Sequence, residues 1–360
     1  MDFLRRKGRT RRRADQGAGV TLDRMSNSEL WLALLAVVAA AMLSAAMTWS
    51  IRPLLLKHAL AKPNARSSHR IPTPQGAGIA VIAATLVIAG AILGGPDALS
   101  SSFPVAVFGA ALFIAVVGFA DDLKSIPVLT RLALQAIAVG AILVASPADL
   151  RIVPAFPLWI ERGLLLLAGL WFVNLVNFMD GLDWMTVAEV VPITAAMIIL
   201  GSLGEFPVPA TIVAAALCGA MIGFAPFNRP VATIFLGDVG SLPIGLLLGW
   251  CLLQLAWHQH IAAALLLPLY YLSDATVTLL RRLVRGEPFW TAHRSHFYQR
   301  ATDNGFAVWR VVGEVFVLNL ALAALAIAST KMQSTAMGAG FVGIGGAAVA
   351  FSLYRFSRLR

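Results

Sequence analysis

Stretches of about 18 to 22 apolar residues recur along nearly the whole chain, and no other feature restricts the fold as tightly. Each is long enough to cross a hydrocarbon core of about 30 Å as an α-helix. Of 360 residues, 59% are hydrophobic and 13% are charged. Lipid offers no partners to backbone N–H and C=O groups, which leaves only helices or a closed barrel. A barrel needs roughly ten-residue alternating segments, and the sequence shows no such pattern. The expected fold is all-α, a polytopic transmembrane bundle of about 11 spans. These lie near 30–51, 77–95, 103–120, 128–146, 163–179, 185–203, 208–226, 241–257, 261–281, 308–329 and 335–355. Cys218 and Cys251 fall inside apolar runs and read as small core residues, not as a disulfide or a thiolate metal site.

Successive spans alternate in direction, so placing one loop places all of them. The side that holds the loop after the first span also holds the loops around 121, 180, 232 and 290 and the C-terminus. Seventeen Lys and Arg residues lie there or at the adjoining helix ends, against Arg151, Arg162 and Lys331 on the opposite side. Such an imbalance marks the first side as cytoplasmic. The basic segment MDFLRRKGRTRRRADQGAGVTLDR conflicts with this count, because alternation places it outside. Residues 1–28 are therefore read as a basic arm, non-native or upstream of a true start at Met25, ahead of an integral membrane domain over 29–360.

Within this topology the polar residues gather. IAVVGFADDLKS ends an apolar run on two adjacent carboxylates, Asp121 and Asp122, which repel each other and are costly near lipid unless something compensates them. Four further clusters fall on the same side: SSHRIPTPQGAG at 67–78, NLVNFMDGLDW at 174–184, FLGDVGS at 235–241 and HRSHFYQR at 293–300. Carboxylates interleaved with Lys, Arg and His at a membrane face suit phosphoryl transfer. A hard divalent cation takes carboxylate and phosphate oxygens, and basic side chains hold the remaining phosphate charge. Gly237 and Gly240 flank Asp238 in a tight turn, with Ser241 placed to cap the following span. Pro72, Pro74, Gly76 and Gly78 describe a stiff turn rather than a helix. Asp274 reads equally as a structural partner and as a site residue, and Glu189 and Glu314 are intramembrane acids without a matched role.

Taken in order, these motifs resemble those of the polyprenyl-phosphate N-acetylhexosamine-1-phosphate transferases, glycosyltransferase family 4. That family includes undecaprenyl-phosphate N-acetylglucosaminyl-1-phosphate transferase and phospho-N-acetylmuramoyl-pentapeptide transferase. The resemblance runs from about residue 30 onward. It implies transfer of an N-acetylhexosamine 1-phosphate from a UDP-sugar to undecaprenyl phosphate, giving the lipid-diphosphate sugar and UMP, with Mg²⁺ or Mn²⁺ as the cofactor. It also implies residence in a bacterial inner membrane with cytoplasmic catalytic loops. Membrane lipid is then a partner, nucleic acid is not, and a homodimer is compatible with the reading.

Carried over by motif, the resemblance makes Asp121, Asp122 and Asp238 catalytic, with Asp121 favoured to deprotonate or orient the attacking phosphate. It assigns Asp238 and Asp180 to the metal. Substrate binding falls to Lys57, His69, Lys124, Asn177, Asp180, Asp183, His293, His296 and Arg300. Two departures stand out: Ala77 replaces a glycine after PTP, and Trp184 replaces a small residue after Asp183, where an indole could stack on a sugar or base. The HRSHFYQR loop resembles the glycan-initiating members more than the branch that recognises a peptide-bearing donor, which favours O-antigen or related polysaccharide initiation. The competing readings are a secondary transporter, which would place its polar residues near the midplane in repeated halves, and a polyprenyl-diphosphate phosphatase.

Overall fold

A computed structural model of the chain describes residues 24–61, 72–95, 104–287, 293–332 and 334–359. Most of the basic arm and His69 lie outside these residues. The described elements are α1 (Asn27–His58), β1 (Leu60–Ala61), β2 (Thr73–Pro74), α2 (Gly78–Leu93), α3 (Val105–Leu123), α4 (Val128–Ala145) and α5 (Leu158–Met179). They continue with α6 (Met185–Ser202), α7 (Val208–Asn228), α8 (Asp238–Trp257), α9 (Ile261–Leu266), α10 (Leu269–Val284), α11 (Phe297–Asp303), α12 (Val308–Thr330) and α13 (Thr335–Phe356). Among the described residues nine helices are long and apolar enough to cross a membrane, and α2 is a shorter apolar helix of sixteen residues. The chain is a multi-pass membrane protein of all-α architecture.

Side-chain size explains the core. The buried positions of α1 are Ala33, Ala36, Ala40, Ser44, Thr48 and Leu55, mostly small and spaced three or four apart, so one face of the helix approaches α7 closely. Ser44 Oγ donates to the Ala220 carbonyl at 2.8 Å across that contact. Helices α6, α7 and α8 are mostly buried and form the centre, while α1, α4 and α13 expose most of their surface to lipid. The α1 N-terminus is set by a capping box in which the Ser26 hydroxyl and the Glu29 carboxylate each accept from the other's backbone N–H.

The apolar run read as one span over 261–281 is two helices, broken at Leu267–Pro268. Pro268 lacks the N–H that a continuous helix would need there. At the end away from the polar clusters, Glu205 ties three loops together: Lys331 Nζ lies at 2.9 Å and His260 Nε2 at 3.1 Å. The two acids left unassigned both find partners. Glu189 accepts from Asn319 Nδ2 at 2.6 Å inside the bundle, and Glu314 meets Arg310 Nε and Arg355 Nη2, each at 2.9 Å.

At the other end the PTPQGAG loop docks on the FLGD loop. The N–H groups of Gly76 and Ala77 both donate to the Phe235 carbonyl and that of Gly78 to Leu236, while Phe235 donates back to Pro74. β1 and β2 pair antiparallel, Leu60 opposite Pro74, so the end of α1 is fastened to the same assembly. This brings the described parts of motifs far apart in sequence to one end of the bundle.

Candidate active site

The site is built around the start of α8. Gly237 precedes that helix at φ +78°, in the region L side chains rarely adopt, and a Cβ there would meet Asp122 Oδ2 at 2.6 Å. A Cβ on Gly118 would strike the Asp238 carbonyl, so the glycine lets the last turns of α3 lie directly against the α8 backbone. Asp122 therefore reaches the free N–H groups of α8. Its Oδ1 accepts from Asp238 N at 2.9 Å and its Oδ2 from Val239 N at 3.0 Å, and Gln75 Nε2 donates to Oδ1 as well. Asp122 is a cap delivered from another helix, favoured by the positive end of the α8 dipole.

Ser241 does not cap. The helix begins at Asp238, three residues before the boundary read from the sequence, because Gly237 makes the turn. The Ser241 hydroxyl instead accepts from Asn177 Nδ2 at 2.9 Å.

Asp121 turns to a different set of partners. Its Oδ2 lies 2.7 Å from Arg131 Nη1, and its Oδ1 accepts from Ile126 N at 2.6 Å. The same Arg131 nitrogen is 3.8 Å from Asp238 Oδ2, so one guanidinium spans the carboxylates of α3 and α8. Asp238 Oδ1 accepts from Asn177 Nδ2 at 2.7 Å. Three helices and the start of α4 thus converge on two acids, one amide and one arginine.

Asp180 follows α5, and Thr186 Oγ1 donates to its Oδ1. Burial, with Asp122 and Asp183 nearby as like charges, pushes the Asp180 carboxyl up to about 7 against that hydrogen bond. Asp183 is buried and accepts from Ala232 N at 2.9 Å, which fixes the loop between α7 and α8. Trp184 takes φ +65°; its N–H meets Asn228 Oδ1 at 2.8 Å and its indole N–H donates to the Ala225 carbonyl at 2.6 Å. The ring stands edge-on to Trp309 at 5.1 Å, so it wedges α6 between α7 and α12.

The HRSHFYQR loop is anchored from below. Asp274, fully buried on α10, accepts from Phe297 N at 3.0 Å and Tyr298 N at 3.1 Å, and its Oδ1 lies 3.3 Å from His296 Nδ1. His296 is buried and its ring is 4.9 Å from that of His293. Tyr298 OH donates to the Phe178 carbonyl at 3.0 Å, joining this loop to the end of α5 just before Asp180. Arg300 lines an adjoining cavity of about 280 Å³. Lys57, in the last turn of α1, and Lys124, which ends α3, are exposed at the same end of the bundle.

The structure therefore brings Asp121, Asp122, Asn177 and Asp238 into one bonded set, with Asp180 beside it, and sets the His293–Arg300 loop against the same α5 end. Sequence reasoning missed Arg131 and Gln75 as members of the set. Among the described residues no three His, Cys, Asp or Glu side chains are grouped so as to hold a metal by themselves. Asp121 and Asp238 do place hard oxygens side by side with a single guanidinium between them. Arg131 already balances that pair; the carboxylates of Asp238 and of Asp180 beside the set are the hard-oxygen donors that fit a cation of the Mg²⁺ type, which completes its shell with substrate phosphate and water.

The family model described as glycosyl transferase family 4 matches residues 104–256, which carry every acid of the bonded set. The decaprenyl-phosphate N-acetylglucosaminephosphotransferase of Mycolicibacterium smegmatis is 29% identical over 336 residues, covering 83% of this chain and 80% of its own. The phospho-N-acetylmuramoyl-pentapeptide-transferase of Gluconobacter oxydans is 36% identical over 188 residues, covering 42% of this chain and 51% of its own. That of Mycobacterium leprae is 28% identical over 265 residues, covering 59% and 73%.

Proposed function

The chain belongs to glycosyl transferase family 4, among the polyprenyl-phosphate hexosamine-1-phosphate transferases, and from that premise we propose that it transfers an N-acetylhexosamine 1-phosphate from a UDP-sugar to undecaprenyl phosphate. An oxygen of the lipid phosphate attacks the β-phosphorus of the donor. The bond from that phosphorus to the bridging oxygen breaks, and UMP leaves with the bridging oxygen. The product is an undecaprenyl-diphosphate sugar, the first intermediate of a cell-surface polysaccharide of the O-antigen type.

The observation that carries this reading is the meeting of Asp121 and Asp238 across Arg131 at the start of α8. Asp121 takes the proton of the attacking phosphate or orients its oxygen. Arg131 offsets the charge that gathers when two phosphates approach. Asp122 stays tied to backbone N–H groups and keeps Asp238 in register. Asp238 and Asp180 are the residues that would hold Mg²⁺ or Mn²⁺, which supplies charge neutralisation for the reacting phosphates. His293 and Arg300 meet the donor, with Lys57 and Lys124 as further phosphate cations at the same end of the bundle and His69, outside the described residues, as a further substrate-binding candidate.

Relatives that match more than four-fifths of the chain are named for N-acetylglucosamine phosphate, while the peptide-specific relatives compared above match over smaller shares of it, which supports a donor without a peptide. The active end faces the cytoplasm of a bacterium, as the balance of Lys and Arg argues. The test is UMP release by purified protein with undecaprenyl phosphate, Mg²⁺ and a panel of UDP-N-acetylhexosamines. Lipid-dependent release with one donor, abolished by chelation and restored by Mg²⁺, is the expected result. Folded protein that turns over no donor would contradict it.

A further inference from the structure

Arg131 is delivered to the acids by a helix that has little else to hold it. α4 lies at the edge of the bundle, packs chiefly against α3 and α5, and exposes most of its surface to lipid. Its buried residues are Gln135, Ala138, Val139, Ile142 and Leu143. All but the first are apolar, and apolar side chains pack about as well against acyl chains as against one another, so they resist sliding or rotation of the helix only weakly. Gln135 is the exception, fully buried one turn deeper than Arg131 on the same face.

Gln135 meets Asn174 of α5 in a reciprocal amide pair. Asn174 Nδ2 donates to Gln135 Oε1 at 2.5 Å, and Gln135 Nε2 donates to Asn174 Oδ1 at 3.4 Å. Asn174 is itself fixed, because its Nδ2 also donates to the Leu170 carbonyl at 2.8 Å. Deeper still, a Cβ on Gly169 would lie 2.7 Å from Val139 Cγ1, so the glycine lets the two helices close on each other. Toward the site, Asn177 holds Asp238, whose Oδ2 is 3.8 Å from Arg131 Nη1. α4 and α5 thus run antiparallel and meet at successive levels: Val139 on Gly169, Gln135 on Asn174, and Arg131 on the acid that Asn177 holds. The middle level joins them through directional bonds, with no water to compete for either amide. Slipping α4 by one residue would carry Arg131 about 1.5 Å along the helix axis and about 100° around it, enough to part the guanidinium from the carboxylates it spans.

We propose that Gln135, paired with Asn174, is a positioning residue for the transfer: it fixes the register of α4 on α5, and through it the span of Arg131 between Asp121 and Asp238. Gln135 bonds to none of the acids and acts through Arg131 alone. The consequence for turnover rests on the transfer reading given above, whereas the register itself does not, and the two are measured separately.

The experiment pairs UMP release with a direct readout of register in the purified full chain. A Cβ on Gly169 would lie 3.8 Å from that of Val139, the usual separation in a disulfide, so Val139→Cys/Gly169→Cys should cross-link on mild oxidation in detergent. Cys218 and Cys251 are buried and stay out of the reaction. Gln135→Leu removes one amide; Gln135→Leu/Asn174→Leu replaces both with apolar groups, orphans neither, and should melt close to wild type. In both, kcat should fall at least about tenfold with little change in donor KM. Cross-linking between 139 and 169 should slow at least about threefold when Gln135→Leu is added. Closing that disulfide in the Gln135→Leu background should return most of the lost kcat, because the register is then held by a covalent bond. Unchanged kcat in both variants, cross-linking as fast without Gln135 as with it, or a kcat that the closed disulfide fails to recover would each overturn the proposal. Wild type that releases UMP with no donor would instead contradict the transfer reading; slower cross-linking without Gln135 would then still support the register, and equal cross-linking would overturn it.

Discussion

Asp122 holds the backbone of Asp238. Its two carboxylate oxygens accept the first two N–H groups of α8, at 2.9 Å and 3.0 Å, from the end of a helix more than a hundred residues earlier in the chain. Of two adjacent acids, one is therefore committed to positioning and the other, Asp121, is paired with a guanidinium.

That division predicts different costs for the two residues. Asp122→Ala removes a cap and leaves N–H groups of α8 without their partner, which should destabilise the protein by about 1–2 kcal/mol. Asp121→Asn keeps the shape of the side chain and its bond from Ile126 N but loses the charge opposite Arg131, so thermal stability should fall as well, while turnover falls at least about 100-fold, far more than for Asp122→Ala at the same loss of stability. Parallel thermal melts and UMP-release assays in detergent check both halves.

Arg131 spans Asp121 and Asp238 with one planar guanidinium. Lysine offers a point charge and no fork, so Arg131→Lys should keep insertion and melting temperature but lower kcat about tenfold or more. Steady-state kinetics at saturating donor and lipid is the check. Unchanged kcat would remove Arg131 from the account.

Asp274 acts through the loop it anchors. It accepts from Phe297 N and Tyr298 N and lies against His296, without reaching the acidic set itself. Asp274→Asn should raise the donor KM about tenfold and change kcat much less, because positioning of the His293–Arg300 loop is loosened while Asp121, Arg131 and Asp238 are untouched. An equal fall in kcat with no change in KM would contradict this role.

At the opposite end, burial holds His260 below its ordinary imidazole range, against the pull of Glu205, with His258 and Lys331 adding to the depression. A depressed folded value means that below about pH 6.5 the unfolded chain binds a proton the folded protein does not. Stability should therefore decline as pH falls from about 6.5 toward the folded value and level off below it. His260→Gln should flatten that part of a melting-temperature profile, and a slope unchanged by the substitution would exclude His260 as its source.

The membrane architecture was legible because hydrophobic length is a direct readout of bilayer thickness, and the acids were legible because charge at a membrane face is costly enough to mark itself. Arg131 was not. It lies ten residues after Asp121 on a new helix, and no periodicity links positions across a turn that ends in Pro127. Gln75 was hidden likewise, since its pairing with Asp122 depends on two loops docking. Ser241 looked like a cap by local rules, but the helix starts at Asp238, nearly a turn earlier, where a carboxylate from another helix takes the first N–H groups. The break at Leu267–Pro268 did carry a signal: a proline inside an apolar run, outweighed in the reading by length alone. Trp184 looked free to stack on a sugar or base, yet its N–H and ring are engaged with Ala225 and Trp309.

The central claim is that the carboxylates at the start of α8 serve phosphoryl transfer to a lipid. Its most direct test supplies UDP-N-acetylglucosamine, or whichever hexosamine donor the panel selects, radiolabelled in the β-phosphate, together with undecaprenyl phosphate and Mg²⁺. The account predicts that label moves into the organic-extractable lipid in step with UMP, and that Asp238→Asn protein of wild-type melting temperature transfers none. Label appearing as free phosphate or sugar phosphate in water, or full transfer by Asp238→Asn, would contradict it.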